Sequence, residues 1–234
     1  KSTLIHCINK ILEPTGGCVI VDDKDIENYS LKEMAKKIGY VPCASSDTFP
    51  LTVVDAVLLG RHPHTGWKTS DEDLDIVYDT LRKLGIEDLA MRYFNELSAG
   101  QHQKVMLARG LVQQPEILLL DEPTSNLDIK HQMSISCLLR KLSHDEGLLV
   151  IMICHDLNLA AKYSDSIIMM HEGRIFDVGT PRDVITVDNI KSVYDTDSIV
   201  IEDGNSPHVI LIDHSLESVR SVSASSMCYS PKDC

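Results

Sequence analysis

The run Ile117-Leu118-Leu119-Leu120 stops abruptly in two adjacent carboxylates, Asp121 and Glu122. Four apolar residues in a row, with no alternation, suit a strand buried on both faces. Such a strand implies a mostly parallel sheet covered by helices on either side. The paired carboxylates at its end suit chemistry on a magnesium–nucleotide complex: one can hold the metal while its neighbour activates water. The segment Pro123-Thr124-Ser125-Asn126-Leu127-Asp128 that follows makes a plain solvated strand end a poor explanation.

The flanking sequence alternates in the same manner. Leu4, Ile5, Cys7, Ile8 and Ile11 mark a helix, followed by Pro14-Thr15-Gly16-Gly17. Gly17 to Val21 reads as a strand, Leu31 to Lys37 as a short helix, and Ile38 to Val41 as a strand closed by Pro42. From Ser45 to Gly110 the texture is helical, with one helix over Thr52 to Leu59. Ser70-x-x-Asp73 resembles a capping box and leads into Leu74, Val77, Tyr78 and Leu81, a core-facing stripe that stops at Gly85. After Pro115 the alternation returns. Ile135, Leu138, Leu139 and Leu142 give a helix its inner face, and Leu148 to Cys154 is predicted to be a second buried strand. Asp165 to Met170 and Arg174 to Val178 form a hairpin around His171-Glu172-Gly173. The predicted class is α/β, with a mostly parallel sheet interrupted by an inserted α-helical subdomain. The core then comprises residues 1–44 and 111–213, the helical subdomain 45–110, and a serine-rich tail, 214–234, is expected to be disordered.

Composition narrows the function. A formal charge of −13 argues against a nucleic-acid partner, which calls for a basic stripe. No apolar run approaches the roughly 20 residues that span a bilayer. The seven cysteines include no C-x-x-C pair, and several lie in apolar segments, as reduced thiols do in the cytosol. Cys228 and Cys234 match no zinc spacing, and His62-x-His64, split by Pro63, lacks a third ligand.

Two further segments carry chemistry. Lys1-Ser2-Thr3 matches the end of the phosphate loop G-x-x-x-x-G-K-[ST], so the sequence is expected to begin inside that loop, without its glycines. A chain starting there is expected to bind ATP weakly, since the glycine turn supplies the N–H groups that cradle phosphates. Leu97-Ser98-Ala99-Gly100-Gln101 can open a helix and offer N–H groups and a hydroxyl to a phosphate. In this order the segments resemble the Walker A, signature and Walker B elements of an ABC-type ATPase, with a P-loop NTPase (RecA-like) core. The resemblance runs to Asp213. Pro50 to Asp55 and Gly60-Arg61-His62-Pro63-His64-Thr65-Gly66-Trp67 are similar to the ATPase subunits of importers for iron-siderophores, haem and cobalamin.

The resemblance assigns roles. Lys1, Ser2 and Thr3 bind the nucleotide, Lys1 on the β/γ-phosphates. Ser2 and Asp121 hold Mg2+. Glu122 polarises the attacking water, and His155 contacts the γ-phosphate. Ser98, Gly100 and Gln101, with Asp128 of the D-loop, act on ATP held by a second subunit. The implied partners are that second copy, two transmembrane permease subunits and, indirectly, an extracytoplasmic binding protein, with the ATPase at the cytoplasmic face of the membrane. Two departures stand out. Ala99 replaces the usual glycine and is tolerable if its φ is negative. Cys43 stands where the family carries a Gln that reaches magnesium, and a neutral thiol is a poor ligand for a hard cation. The alternative reading is therefore a nucleotide-binding, weakly hydrolysing interaction protein. DNA-repair relatives need a long coiled coil and translation relatives a second cassette, and this sequence has neither.

Overall fold

A computed structural model describes residues 1–43, 50–65, 69–125, 127–204 and 206–213. The serine-rich tail, Gly66-Trp67, Asn126 and the boundary at residues 44 and 45 lie outside them. The chain divides into two compact units, 1–155 and 156 onward.

The first unit opens with α1 (Ser2–Ile8), then the hairpin of β1 (Ile20–Val21) and β2 (Lys24–Asp25). The helix stops three residues short of Ile11, because Lys10 takes left-handed backbone (φ 56°). The ammonium of Lys10 instead donates to the carbonyls of Ile26, Glu27 and Tyr29. The strand expected from Gly17 is only two residues long, since Asp22 and Asp23 both adopt positive φ and turn the chain back at once. A capping box between Ser30 and Glu33 starts α2 (Leu31–Lys37), which runs directly into β3 (Ile38–Val41).

The helices α3 (Val53–Leu58), α4 (His62–Thr65), α5 (Asp71–Lys83) and α6 (Ala99–Leu111) come next. Three of these N-termini have a local cause: Thr52 caps α3, the Ser70–Asp73 box starts α5, and a Ser98–Gln101 box starts α6. After α6 the chain forms β4 (Ile117–Leu120), then α7 (Ile129–Glu146), ended by Gly147 at φ 70°, and β5 (Leu149–Met152). The three-stranded sheet is parallel, in the order β3-β4-β5.

β4 is the centre of this unit. Leu118, Leu119 and Leu120 are all 0% exposed. Side chains alternate across a strand, so Leu118 and Leu120 join the helical core around Val57, Leu81 and Met106. Leu119 joins Ile5, Met34 and Ile38 on the other face. Replacing any of the three by Ala should cost about 2–5 kcal/mol. β5 differs from expectation. It is not buried on both faces: Leu149 is 52% exposed and the other three residues are half-buried. Among the described residues β5 pairs with β4 alone, and a strand with one neighbour keeps an open side.

The second unit contains α8 (Leu157–Tyr163), the hairpin β6 (Ile167–His171) and β7 (Arg174–Gly179), α9 (Pro181–Val184), α10 (Val187–Tyr194) and the hairpin β8 (Ser198–Asp203) and β9 (Ser206–Leu211). The expected β6–β7 turn is made by Glu172 and Gly173, both at positive φ. Ala161, Met169, Val184, Ile190 and Val209 form its core. The Asn158 carboxamide clamps β9 by bonding both N–H and C=O of Val209. Among the described residues no helix is long and apolar enough to cross a membrane.

Candidate functional site

Parallel pairing delivers the site. Leu120 of β4 is in register with Met152 of β5, so both strands end side by side, and Asp121-Glu122 and His155 emerge at the same edge. Asp121 extends the ladder by one bond, its N–H donating to Val41 O at 2.9 Å, and is only 7% exposed. The Ser2 hydroxyl, in the first turn of α1, donates to Asp121 Oδ1 at 3.1 Å across 119 residues of sequence. A hydroxyl and a carboxylate held together are the hard oxygen donors that magnesium prefers, so these residues fit the ion. Lys1 and Thr3 flank Ser2 and are exposed.

Glu122 has left-handed backbone, φ 50°, a conformation that costs a non-glycine residue about 1–3 kcal/mol and recurs at functional sites. The turn aims its carboxylate at His155, whose Nε2 lies 2.8 Å from Glu122 Oε1. Both side chains keep solvent access. Ser125 closes the loop by donating to Glu122 O at 2.9 Å. Cys43, just past β3, brings Sγ to 3.8 Å from Ser125 Oγ. Tyr40 lies nearby on β3, hydrogen-bonded through its hydroxyl to His6 Nε2 at 2.9 Å. Burial, helped by the negative charge of Asp121, raises its phenol above the ordinary value.

A second group of predicted residues is assembled at the start of α6. Ser98 is its N-cap, with Gln101 N–H donating to the Ser98 hydroxyl and Gln101 Oε1 accepting from Ser98 N–H. Ala99 is the first helical residue and has no positive φ, so its methyl group is accommodated. Gly100 is buried against His131. Asp128 caps α7 and accepts from the N–H of His131, while His131 Nδ1 lies 2.8 Å from the same oxygen. These bonds hold the Asp128 carboxyl below the usual carboxylate range. Neither His131 nor Ser125 stands out in the sequence. The available signal for His131 is its position three residues after a capping aspartate.

The Gly60–His64 segment grips the opposite end of α6. Arg61 and Asp73 form a buried ion pair at 2.8 Å, with side chains 9% and 2% exposed. Arg61 Nη1 also donates to Val112 O and Gln114 Oε1. Burial pushes Asp73 up, but its bonds to Arg61 and Ser70 outweigh this and hold it below the ordinary value. His64 Nε2 lies 2.9 Å from Gln113 O, and burial lowers its pKa.

The family model described as "ABC transporter" matches residues 1–125. An ABC transporter ATP-binding protein of Methanocaldococcus jannaschii is 50% identical over 86% of this chain and 78% of its own length. The ferric enterobactin transport ATP-binding protein of Escherichia coli is 35% identical over 87% of this chain and 76% of its own length. A cobalamin import ATP-binding protein of Halobacterium salinarum is 39% identical over 83% of this chain, which spans 49% of that longer protein. A solved metal-chelate type ABC transporter in an inward-facing conformation superposes with a TM-score of 0.80 at 27% identity, covering 92% of this chain and 82% of that one. With this identity spread over most of its length, and with a parallel sheet ending in Asp121, Glu122 and His155, the chain belongs to the ABC transporter family, as an ATP-binding ATPase cassette of the P-loop NTPase fold.

Proposed function

We propose that this protein hydrolyses ATP to drive an importer for an iron-siderophore, haem or cobalamin. It works as a homodimer on two transmembrane permease subunits at the cytoplasmic face of the membrane. An extracytoplasmic binding protein supplies the cargo and meets the ATPase only through the permease. Residues 45–110 serve as the helical subdomain that carries the signature, and residues 1–44 and 111–213 as the ATPase core.

The observation that carries this reading is the convergence of Ser2, Asp121, Glu122 and His155 from α1, β4 and β5. Lys1 balances charge on the β/γ-phosphates, with Thr3 beside them. Ser2 and Asp121 would hold Mg2+, which when bound neutralises charge on the phosphoryl oxygens. Glu122 accepts a proton from the attacking water while His155 holds its carboxylate in place. Ser98, Gly100 and Gln101 of the partner, with Asp128, close over the γ-phosphate, where helix N-terminal N–H groups favour an anion. Relatives named for ferric enterobactin transport and cobalamin import support the cargo range.

Glu122→Gln tests the proposal. It should keep magnesium-ATP binding, lower turnover by about 10²–10⁴-fold and accumulate an ATP-bound dimer in sedimentation. Wild-type turnover would refute the role of Glu122. Cys43 supports a second reading, a nucleotide-binding protein of low turnover, because its thiol faces Ser125 and offers no oxygen ligand. A measured basal rate separates the two.

A further inference from the structure

Gly100 is the second residue of α6, inside the first turn. Glycine costs a helix about 1 kcal/mol relative to alanine, and the φ of Gly100 is not positive, so the backbone does not demand it. The space beside it does. A Cβ at position 100 would overlap the His131 imidazole, meeting Cδ2 first, with Nε2 at 2.8 Å and Cγ at 2.9 Å.

Two contacts with Asp128 hold that ring in its place. Asp128 Oδ1 accepts from the backbone N–H of His131 at 2.9 Å and faces Nδ1 at 2.8 Å. A carboxylate is acceptor-only, so Nδ1 carries the proton, and the plane of the ring is fixed by a residue that itself caps α7. To make room for a methyl group the ring would have to leave Asp128. The result is a three-part chain of contact: Asp128 orients His131, and His131 lies on Gly100 of the signature turn.

We propose that His131 is a positioning residue of the ATPase reaction, which locks the signature turn to the D-loop segment at the start of α7. The glycine at residue 100 leaves room for its ring. This rests on the ATPase reading above and assigns a role to a residue outside the motifs. Ser98 and Asp128 then approach a partner's nucleotide in one fixed geometry.

The test compares ATP turnover and His131 ring ¹⁵N shifts in the wild type, Gly100→Ala, His131→Ala, the double variant and His131→Asn. In the wild-type background Gly100→Ala should lower kcat by about 10²-fold, the scale of a misplacement of about 1 Å, with KM nearly unchanged. In the His131→Ala background the same methyl should cost at least about tenfold less in kcat than it does in the wild type, because the two sites are coupled. His131→Asn keeps a side-chain donor for Asp128 and should recover most of the loss caused by His131→Ala. The His131 Nδ1 signal should report a protonated nitrogen in the wild type and shift in Gly100→Ala. An equal cost of the methyl in both backgrounds, or a silent Gly100→Ala, overturns the proposal, as does His131→Asn matching His131→Ala. If Glu122→Gln keeps full turnover, the ATPase reading fails, while the ring shifts still decide whether His131 and Gly100 are in contact.

Discussion

His155 Nε2 lies 2.8 Å from Glu122 Oε1, joining residues just beyond the ends of two neighbouring parallel strands. The contact gives the strained turn at Glu122 a purpose: left-handed backbone there directs the carboxylate toward the imidazole. His155→Ala should therefore reduce kcat by about 10²-fold or more, the range for losing one positioned catalytic partner. In a Glu122→Gln background the further loss should be small, because residues acting as one unit are non-additive. Turnover across this four-variant cycle checks it, and full additivity would mean that the two act separately.

Cys43→Gln should raise turnover or its magnesium dependence. An amide oxygen is a harder ligand than a thiol, and Cys43 already sits beside the loop that closes on Glu122. A rate titration against magnesium reads the effect. No change in either quantity would show that the position does not reach the metal.

Asp73→Ala should destabilise the protein by about 3–5 kcal/mol, because it removes the carboxylate paired with the buried Arg61 guanidinium. Replacing both residues by apolar side chains of similar volume should cost much less. Urea unfolding midpoints of the single and double variants measure the difference.

Acidification should weaken the protein through His64. Burial holds its folded-state pKa below the ordinary value of 6.5. Above that value both folded and unfolded chains carry a neutral imidazole, and His64 makes stability independent of pH. As pH falls below it, the unfolded chain takes up a proton first, so stability declines until the folded-state pKa is passed. His64→Gln should flatten this part of the stability curve between pH 7.5 and 5.5, as followed by denaturant midpoints. An unchanged slope would place the titration elsewhere.

Much of this was readable from residue order. Leu118 to Leu120 had to be buried on both faces because no polar residue interrupts them, and the structure divides them between two cores. Helix starts at Ser70 and Ser98 were legible because a cap and its partner lie three residues apart. The burial of β5 was not. Leu148 to Cys154 is as apolar as β4, but exposure depends on how many strands flank it, which its own sequence does not encode. The end of α1 was hidden for a related reason: Lys10 leaves the helix to serve three carbonyls sixteen to nineteen residues away. The pairing of Ser2 with Asp121 followed from motif chemistry, whereas the seating of His131 on Gly100 depends on two separate segments meeting in space.

Gly60 has a mechanical meaning. A Cβ there would run into the Arg109 carbonyl oxygen, so the chain around Leu59–Arg61 meets the last turn of α6 backbone to backbone. Joints between helices usually owe their compliance to an intervening layer of side chains that can change rotamer. Here that layer is thin, with backbone meeting backbone beside the Val112 side chain, and Arg61 and His64 fasten the same turn through Val112 O and Gln113 O. α6 has 13 residues and is about 20 Å long at 1.5 Å per residue. Its other end is the cap at Ser98, so the close seat at Gly60, with α3, α5 and β3 packed along the helix, fixes the axis along which Ser98 is presented.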